Sequence, residues 1–217
     1  MRYPQKLNGM RRRTHRRTTA IVETLIGYLD ALASSSPTPG GGSAACIVGA
    51  QAAALVAMVA RITGSGSVYV AVHPLAQEIA KRAEDLRRDL LKARERDEEA
   101  YGAVSAARLL PKTNEHEKAL RATALQKALR GAAEAPLTAM ALALDVLELA
   151  QRARKLENPH LISDLACASD FAAAAFSASA HNVRVNHLGM KDDPLVAEQR
   201  ARLGDLETRA TRIGTPI

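Results

Sequence analysis

From Ser43 to Ala60 the chain runs eighteen residues without a charged side chain. That approaches the length of a membrane span. Seven of its first twelve residues are Ala or Gly and Gln51 sits mid-segment, which contributes little to insertion, and every later helical stretch is charged along one side. The segment is therefore expected to be a central helix buried by its neighbours. Its small residues let those neighbours approach closely, and 43 of the 217 residues are Ala while aromatic residues make up 3%. Dense packing must then come from close helix contacts rather than from large rings. Val and Ile never alternate in runs bounded by turns, so strands are not expected. The fold class is all-α, a bundle of long helices around a buried Ala/Gly-rich one.

Punctuation residues divide the rest of the chain. Thr18 or Thr19 is a cap for a first helix to about Ala33, with Ile21, Leu25, Tyr28, Leu29 and Leu32 on one face. Residues 34–42, Ser-Ser-Ser-Pro-Thr-Pro-Gly-Gly-Gly, break it before the central helix, expected from Ser43 to Arg61 or Thr63. Pro74 opens a charged helix reaching Leu110 and stopped by Pro111. At about 1.5 Å per residue it is roughly 55 Å long, which suggests a helix that extends across a partner. Asn114 with Glu117 is a capping-box pattern for a helix expected to bend at Pro136 and run to about Lys155. A second small-residue helix follows from about Leu161 to Val185, and Asp193-Pro194 starts a last one to about Ile213. With no linker long enough to separate domains, residues 19–217 are expected to form one helical domain, dimeric in its working form.

The formal net charge of +7 has a narrow origin. Residues 1–19 hold seven Lys or Arg and no acid, leaving 23 basic and 23 acidic residues in the remainder. Residues 1–18 are thus a basic leader, expected to be a disordered, solvated tail. A nucleic-acid arm, a targeting peptide and an upstream extension of the reading frame remain open for it. No twin-arginine export signal is expected, because Glu23 and Asp30 interrupt the stretch that would have to be apolar. The neutral body, with four Tyr, two Phe and no Trp, offers few platforms for stacking bases, so nucleic acid is not the expected partner. Cys46 and Cys167 stand alone in Ala-rich stretches, forming neither a zinc pattern nor a disulfide framework. The expected compartment is a reducing cytoplasm, with no membrane attachment.

Glycines Gly40, Gly41 and Gly42 lead through Ser43 into the central helix. Exposed amides at a helix N-terminus, aided by the dipole, suit a phosphate or carboxylate, although a turn that only admits the chain to a buried helix has the same pattern. No Gly-Lys-Ser/Thr follows, so this is not a Walker loop. Acid/base candidates are Glu95, Asp97, Glu98 and Glu99, set among Arg94 and Arg96 on the long helix. Most of these belong to a solvated face. Asp97 stands where the sequence turns apolar, and a carboxylate at such a border can have a raised pKa and serve as a base. The six His (His15, His73, His116, His160, His181 and His187) show no ligand spacing, so no metal site is expected. No Ser or Cys stands in a recognisable nucleophile setting.

The segments Leu29-Asp30-Ala31-Leu32-Ala33, the run 34–43 ending Pro-Gly-Gly-Gly-Ser, Ala57-Met58-Val59-Ala60, Asp97 with Ala100-Tyr101, Leu110-Pro111-Lys112, Asn158-Pro159, Ser163-Asp164 and Asn182-Val183-Arg184-Val185-Asn186 occur in order. In this the chain closely resembles the cyclodeaminase/cyclohydrolase family over roughly residues 20 to 200. This is the folate-handling domain found alone as methenyltetrahydrofolate cyclohydrolase and fused in formiminotransferase-cyclodeaminase. The resemblance implies an all-α homodimer acting on a tetrahydrofolate substrate. Its chemistry is hydrolysis of methenyltetrahydrofolate to the formyl form or ammonia-releasing ring closure of formimino-tetrahydrofolate. Both pass through a tetrahedral carbon between two folate nitrogens and need a proton acceptor but no metal or redox cofactor.

The resemblance also implies roles. Asp97 would be the proton acceptor, and Lys112 would orient the substrate or neutralise its carboxylate. Asp164 would bind the pterin's amino edge. Gly40, Gly41, Gly42 and Ser43 would offer amides, and Asn182 or Asn186 a hydrogen bond. One departure stands out: Arg61 to Tyr69 lacks the lysines usual in the family, and if those hold the glutamate tail, polyglutamylated folate would bind weakly. Without a formiminotransferase half in the chain, the cyclohydrolase is the favoured activity. A cyclodeaminase and a non-catalytic folate-binding helical module are the alternatives.

Overall fold

Each helix of the protein begins or ends where its sequence supplies a physical reason. The computed structural model describes residues 25–191 and 194–213; the basic leader, the Thr18/Thr19 cap, Ile21 and Asp193 lie outside the described residues. The described residues contain helices and no strand. They fall into two compact units that divide between Gly40 and Gly41.

In the first unit a helix (α1) covers described residues 25–32. Serines organise the turn after it: Ser34 Oγ donates to the Ala31 carbonyl at 2.7 Å and Ser36 Oγ to the Thr38 carbonyl at 2.9 Å.

The second unit is built from α2 (Gly41–Ser65), α3 (His73–Leu109), α4 (Glu115–Ala153), α5 (Ile162–Leu188) and α6 (Pro194–Ile213). As the charge-free run implies, α2 is the inner helix, touching α3, α4 and α5. Ala52, Ala53, Val56, Ala57, Val59 and Ala60 are at most 1% exposed. They meet Ile79, Leu86 and Leu90 of α3 and Leu137, Met140 and Leu144 of α4 in one core. At Gly49 even an added Cβ would lie 3.2 Å from Leu90 Cδ2 and 3.4 Å from Ala175 Cβ. The small residues therefore set the spacing of three helices at once.

The Asn114 side chain accepts from the Glu117 N–H at 2.9 Å, while the Glu117 carboxylate accepts from the Thr113 N–H and hydroxyl. The capping box is present, its return bond displaced by one residue. At the other end of the unit, Asn158 Nδ2 donates to the buried Thr63 hydroxyl at 3.0 Å, tying the C-terminus of α2 to the entry of α5. Val196, Leu203 and Leu206 seat α6. Gln199 bridges His187 to Glu134 and to the Arg130 carbonyl.

Pro136 lies inside α4, which continues as one helix on either side of it. A proline has no N–H, so the carbonyl four residues back, that of Ala132, loses its helical donor. Asn186 of α5 supplies a replacement: its Nδ2 donates to the Ala132 oxygen at 2.9 Å and also to the Asn182 oxygen at 2.9 Å. A side chain of one helix thus repairs the backbone of another and fastens α5 to α4. We predict that Asn186→Ala costs about 1–3 kcal/mol, the penalty of an unsatisfied buried acceptor. That cost should shrink in a Pro136→Ala background, where the backbone N–H returns; urea denaturation of the four proteins checks this.

Candidate active site

Charge and close contact meet at the N-terminus of α2. Gly42 is buried, and a Cβ built on it would lie 2.3 Å from Asp97 Oδ1 and 2.6 Å from Oδ2, inside any permitted contact. The α3 carboxylate therefore rests on the backbone of α2, and glycine is what allows it. One residue on, the Ser43 backbone N–H donates to Asp97 and the Ser43 hydroxyl donates to Glu98 Oε1 at 2.9 Å. Arg94, one turn earlier on α3, lies 3.5 Å from the same Glu98 oxygen. Two adjacent carboxylates on α3 thus hold the amide and hydroxyl of one serine on α2.

These contacts push on Asp97 in opposite directions. Burial and the neighbouring Glu98 charge raise its pKa, and the Ser43 N–H holds it down less strongly, so the carboxyl sits above the ordinary aspartate value. Burial wins over the amide. Cys46, one turn into α2, shares this environment. Burial and then the Asp97 charge push its thiol up to about 12. It stays protonated at neutral pH and is no nucleophile.

Asn182 of α5 completes the cluster, since a Cβ on Gly41 would lie 3.7 Å from Asn182 Nδ2 and 3.9 Å from its Oδ1. That Nδ2 donates to the Ala178 carbonyl at 2.9 Å. Asn186, one turn further, spends both of its amide hydrogens on the Ala132 and Asn182 carbonyls. Gly41, Gly42, Ser43, Asp97 and Asn182 are therefore brought together. Gly40 is the last residue of the first unit, immediately before α2.

Two residues lie elsewhere. Asp164 is in the first turn of α5, eighteen residues or about 27 Å of helix from Asn182. Exposed Lys112 follows the end of α3, and Leu109 alone is about 18 Å of helix beyond Asp97. Sequence reasoning did not place Cys46 or the Ser43–Glu98 contact at the site. The available signals were the i,i+4 spacings Gly42–Cys46 and Arg94–Glu98 on facing helices. Among the described residues no group of three or more His, Cys, Asp or Glu is placed to hold a metal ion.

Residues 24–205 match the profile of a family described as formiminotransferase-cyclodeaminase. The chain belongs to that family. Among its relatives, a methenyltetrahydrofolate cyclohydrolase from Methylorubrum extorquens is 42% identical over 180 residues, covering 83% of this chain and 86% of that one. The formimidoyltransferase-cyclodeaminase of Mus musculus is 27% identical over 84% of this chain, which spans 34% of the mouse protein's length. A crystal structure of a formiminotetrahydrofolate cyclodeaminase from Thermotoga maritima superposes with a TM-score of 0.68 at 30% identity. It covers 86% of this chain and 92% of its own. Family membership and the all-α fold expected from the sequence stand.

The Gly42–Asp97 contact makes a direct prediction. Gly42→Ala should destabilise the fold by roughly 1–3 kcal/mol through overpacking. Most of that cost should vanish in an Asp97→Ala background, where the obstructing carboxylate is gone; a thermal-denaturation double-mutant cycle measures the coupling.

Proposed function

We propose that this protein is a methenyltetrahydrofolate cyclohydrolase that uses Asp97 as its proton acceptor and works as a cytoplasmic homodimer. The observation that carries this is the half-buried, upward-shifted Asp97 carboxyl at the N-terminus of α2, in a chain 42% identical to a methenyltetrahydrofolate cyclohydrolase. A carboxyl with a raised pKa is a stronger base once ionised, closer to what proton transfer at neutral pH requires.

The chemistry follows from this placement. Water adds to the cationic methenyl carbon, and one of its protons passes to Asp97. The resulting carbinol loses its hydroxyl proton to solvent as C=O forms. The breaking C–N bond leaves its electron pair on nitrogen, which takes the proton held by Asp97. One proton is released overall and nothing is oxidised or reduced. Glu98, held by Ser43 and Arg94, keeps a negative charge next to Asp97 that favours proton uptake. The same acceptor would serve a lyase that closes formimino-tetrahydrofolate with loss of ammonia. The likeness to the Thermotoga maritima cyclodeaminase structure makes that the second reading.

The homodimer rests on α5. Both α2 and the segment Pro159–Leu188 are long and apolar enough to cross a membrane, but 61% of the most apolar part of α2 is buried in the bundle against 28% for the α5 segment. Phe171, Val185 and Leu188 are 39%, 62% and 85% exposed. An apolar helix left this open is the face expected to meet a second copy.

Loss of the methenyl absorbance band with purified protein tests the reaction. Asp97→Asn should abolish turnover with circular dichroism unchanged. Because the base acts ionised, wild-type kcat/KM should fall as pH drops through a midpoint above the ordinary aspartate range. Ammonia release from formimino-tetrahydrofolate with an inert methenyl substrate would favour the second reading, and inertness toward both would reject the enzyme. For the assembly, sedimentation should show a dimer for wild type and a monomer for Phe171→Glu. A wild-type monomer would contradict it.

A further inference from the structure

A tetrahydrofolate is much larger than its reacting carbon, and the cluster around Asp97 accounts only for that end. Next to it, between α3 and α4, lies a groove of about 470 Å³, within the range of small-molecule sites. Ala100, Ala103 and Ala107 line it from α3, and Lys127, Ala128 and Gly131 from α4. With a methyl or a hydrogen at most positions, the two helices leave a slot of the kind a flat ring fills.

The groove starts one turn along α3 from the site. Ala100 lies three residues past Asp97, on the same side of α3. Gly131 adjoins Ala132, whose carbonyl holds Asn186. The register follows from Arg121, which donates to the Arg108 carbonyl at 3.0 and 3.2 Å across the antiparallel pair. Counting back six residues on α3 sets Lys127 opposite Gly102, five residues or about 8 Å of helix beyond Asp97.

Charge runs the same way. Asp97 stands one turn before the groove's first lining residue, Ala100. The wall carries Lys127, which has no hydrogen-bond or ion-pair partner among the described residues. Methenyltetrahydrofolate has the matching polarity: a cationic reacting carbon at one point, and carboxylates one benzoyl ring and one amide further on. We propose that this groove takes the aryl-glutamate arm of the folate, that Lys127 receives a glutamate carboxylate, and that Ala103 is small to admit the ring. The proposal rests on the folate reading above and specifies what part of the substrate lies where.

Steady-state kinetics with methenyltetrahydrofolate and with its pteroate analogue, which lacks the glutamate, test it. Lys127→Gln should raise KM for the folate about tenfold with kcat within about twofold, the mark of lost uniform binding. It should leave KM for the pteroate unchanged. Ala103→Leu should raise KM for both, and Lys118→Gln, on an exposed lysine paired with Glu115 outside the groove, should change neither. Wild-type turnover with KM unmoved in Lys127→Gln and Ala103→Leu would overturn the groove and leave the folate reading standing. A fall in kcat alone, or an equal effect of Lys127→Gln on folate and pteroate, would also overturn it. Absence of both turnover and folate binding by the wild type would reject the folate reading and the groove together.

Discussion

The rest of the site depends on one steric and electrostatic contact, the Asp97 carboxylate resting on Gly42. A helix N-terminus offers unpaired amides, and here the protein's own carboxylate takes the Ser43 amide. The contact requires glycine at position 42, because a methyl there would overlap the carboxylate oxygens. It shields Asp97 in part from solvent, and this partial burial, reinforced by Glu98, outweighs the amide and lifts the carboxyl's pKa. A bond that would ordinarily make the aspartate a weaker base instead accompanies its becoming a stronger one, since desolvation is the larger effect.

The same economy of volume governs the bundle. Alanine and glycine along α2 bring α3 and α5 within direct packing distance of it, so residues distant in sequence, Gly41, Asp97 and Asn182, converge at one end. Pro136 breaks the regularity of α4, and Asn186 restores its lost hydrogen bond from outside. That arrangement fixes the rotation of α5 against α4. Asn182, one turn earlier, is thereby aimed at the glycines.

Much of this was legible in the sequence. The charge-free run marked α2 as the inner helix, Pro74 and Pro111 bracketed α3, and Asn114 with Glu117 marked the start of α4, because each rests on local chemistry. Gly42, Ser43 and Asp97 were also singled out, and the structure puts them in contact. What local patterns do not carry is distance along a rod. Asp164 and Lys112 belong to the same family pattern as Asp97, yet each is separated from the glycine cluster by several helical turns. The helix expected to run on past Pro136 does so, but the side chain that replaces the lost hydrogen bond, Asn186, is fifty residues on, where no local pattern points. Cys46 stands alone in an Ala-rich stretch of the sequence, and only the pairing of α2 with α3 shows that it borders the carboxylate.

The claim that burial against Gly42 makes Asp97 a strong base is measured most directly by carbon-13 NMR titration of its side-chain carboxyl, assigned by comparison with Asp97→Asn. The account predicts a midpoint above that of an ordinary aspartate in the folded protein, seen with no substrate present. A midpoint at or below the ordinary value would contradict it, since the amide of Ser43 would then dominate over burial.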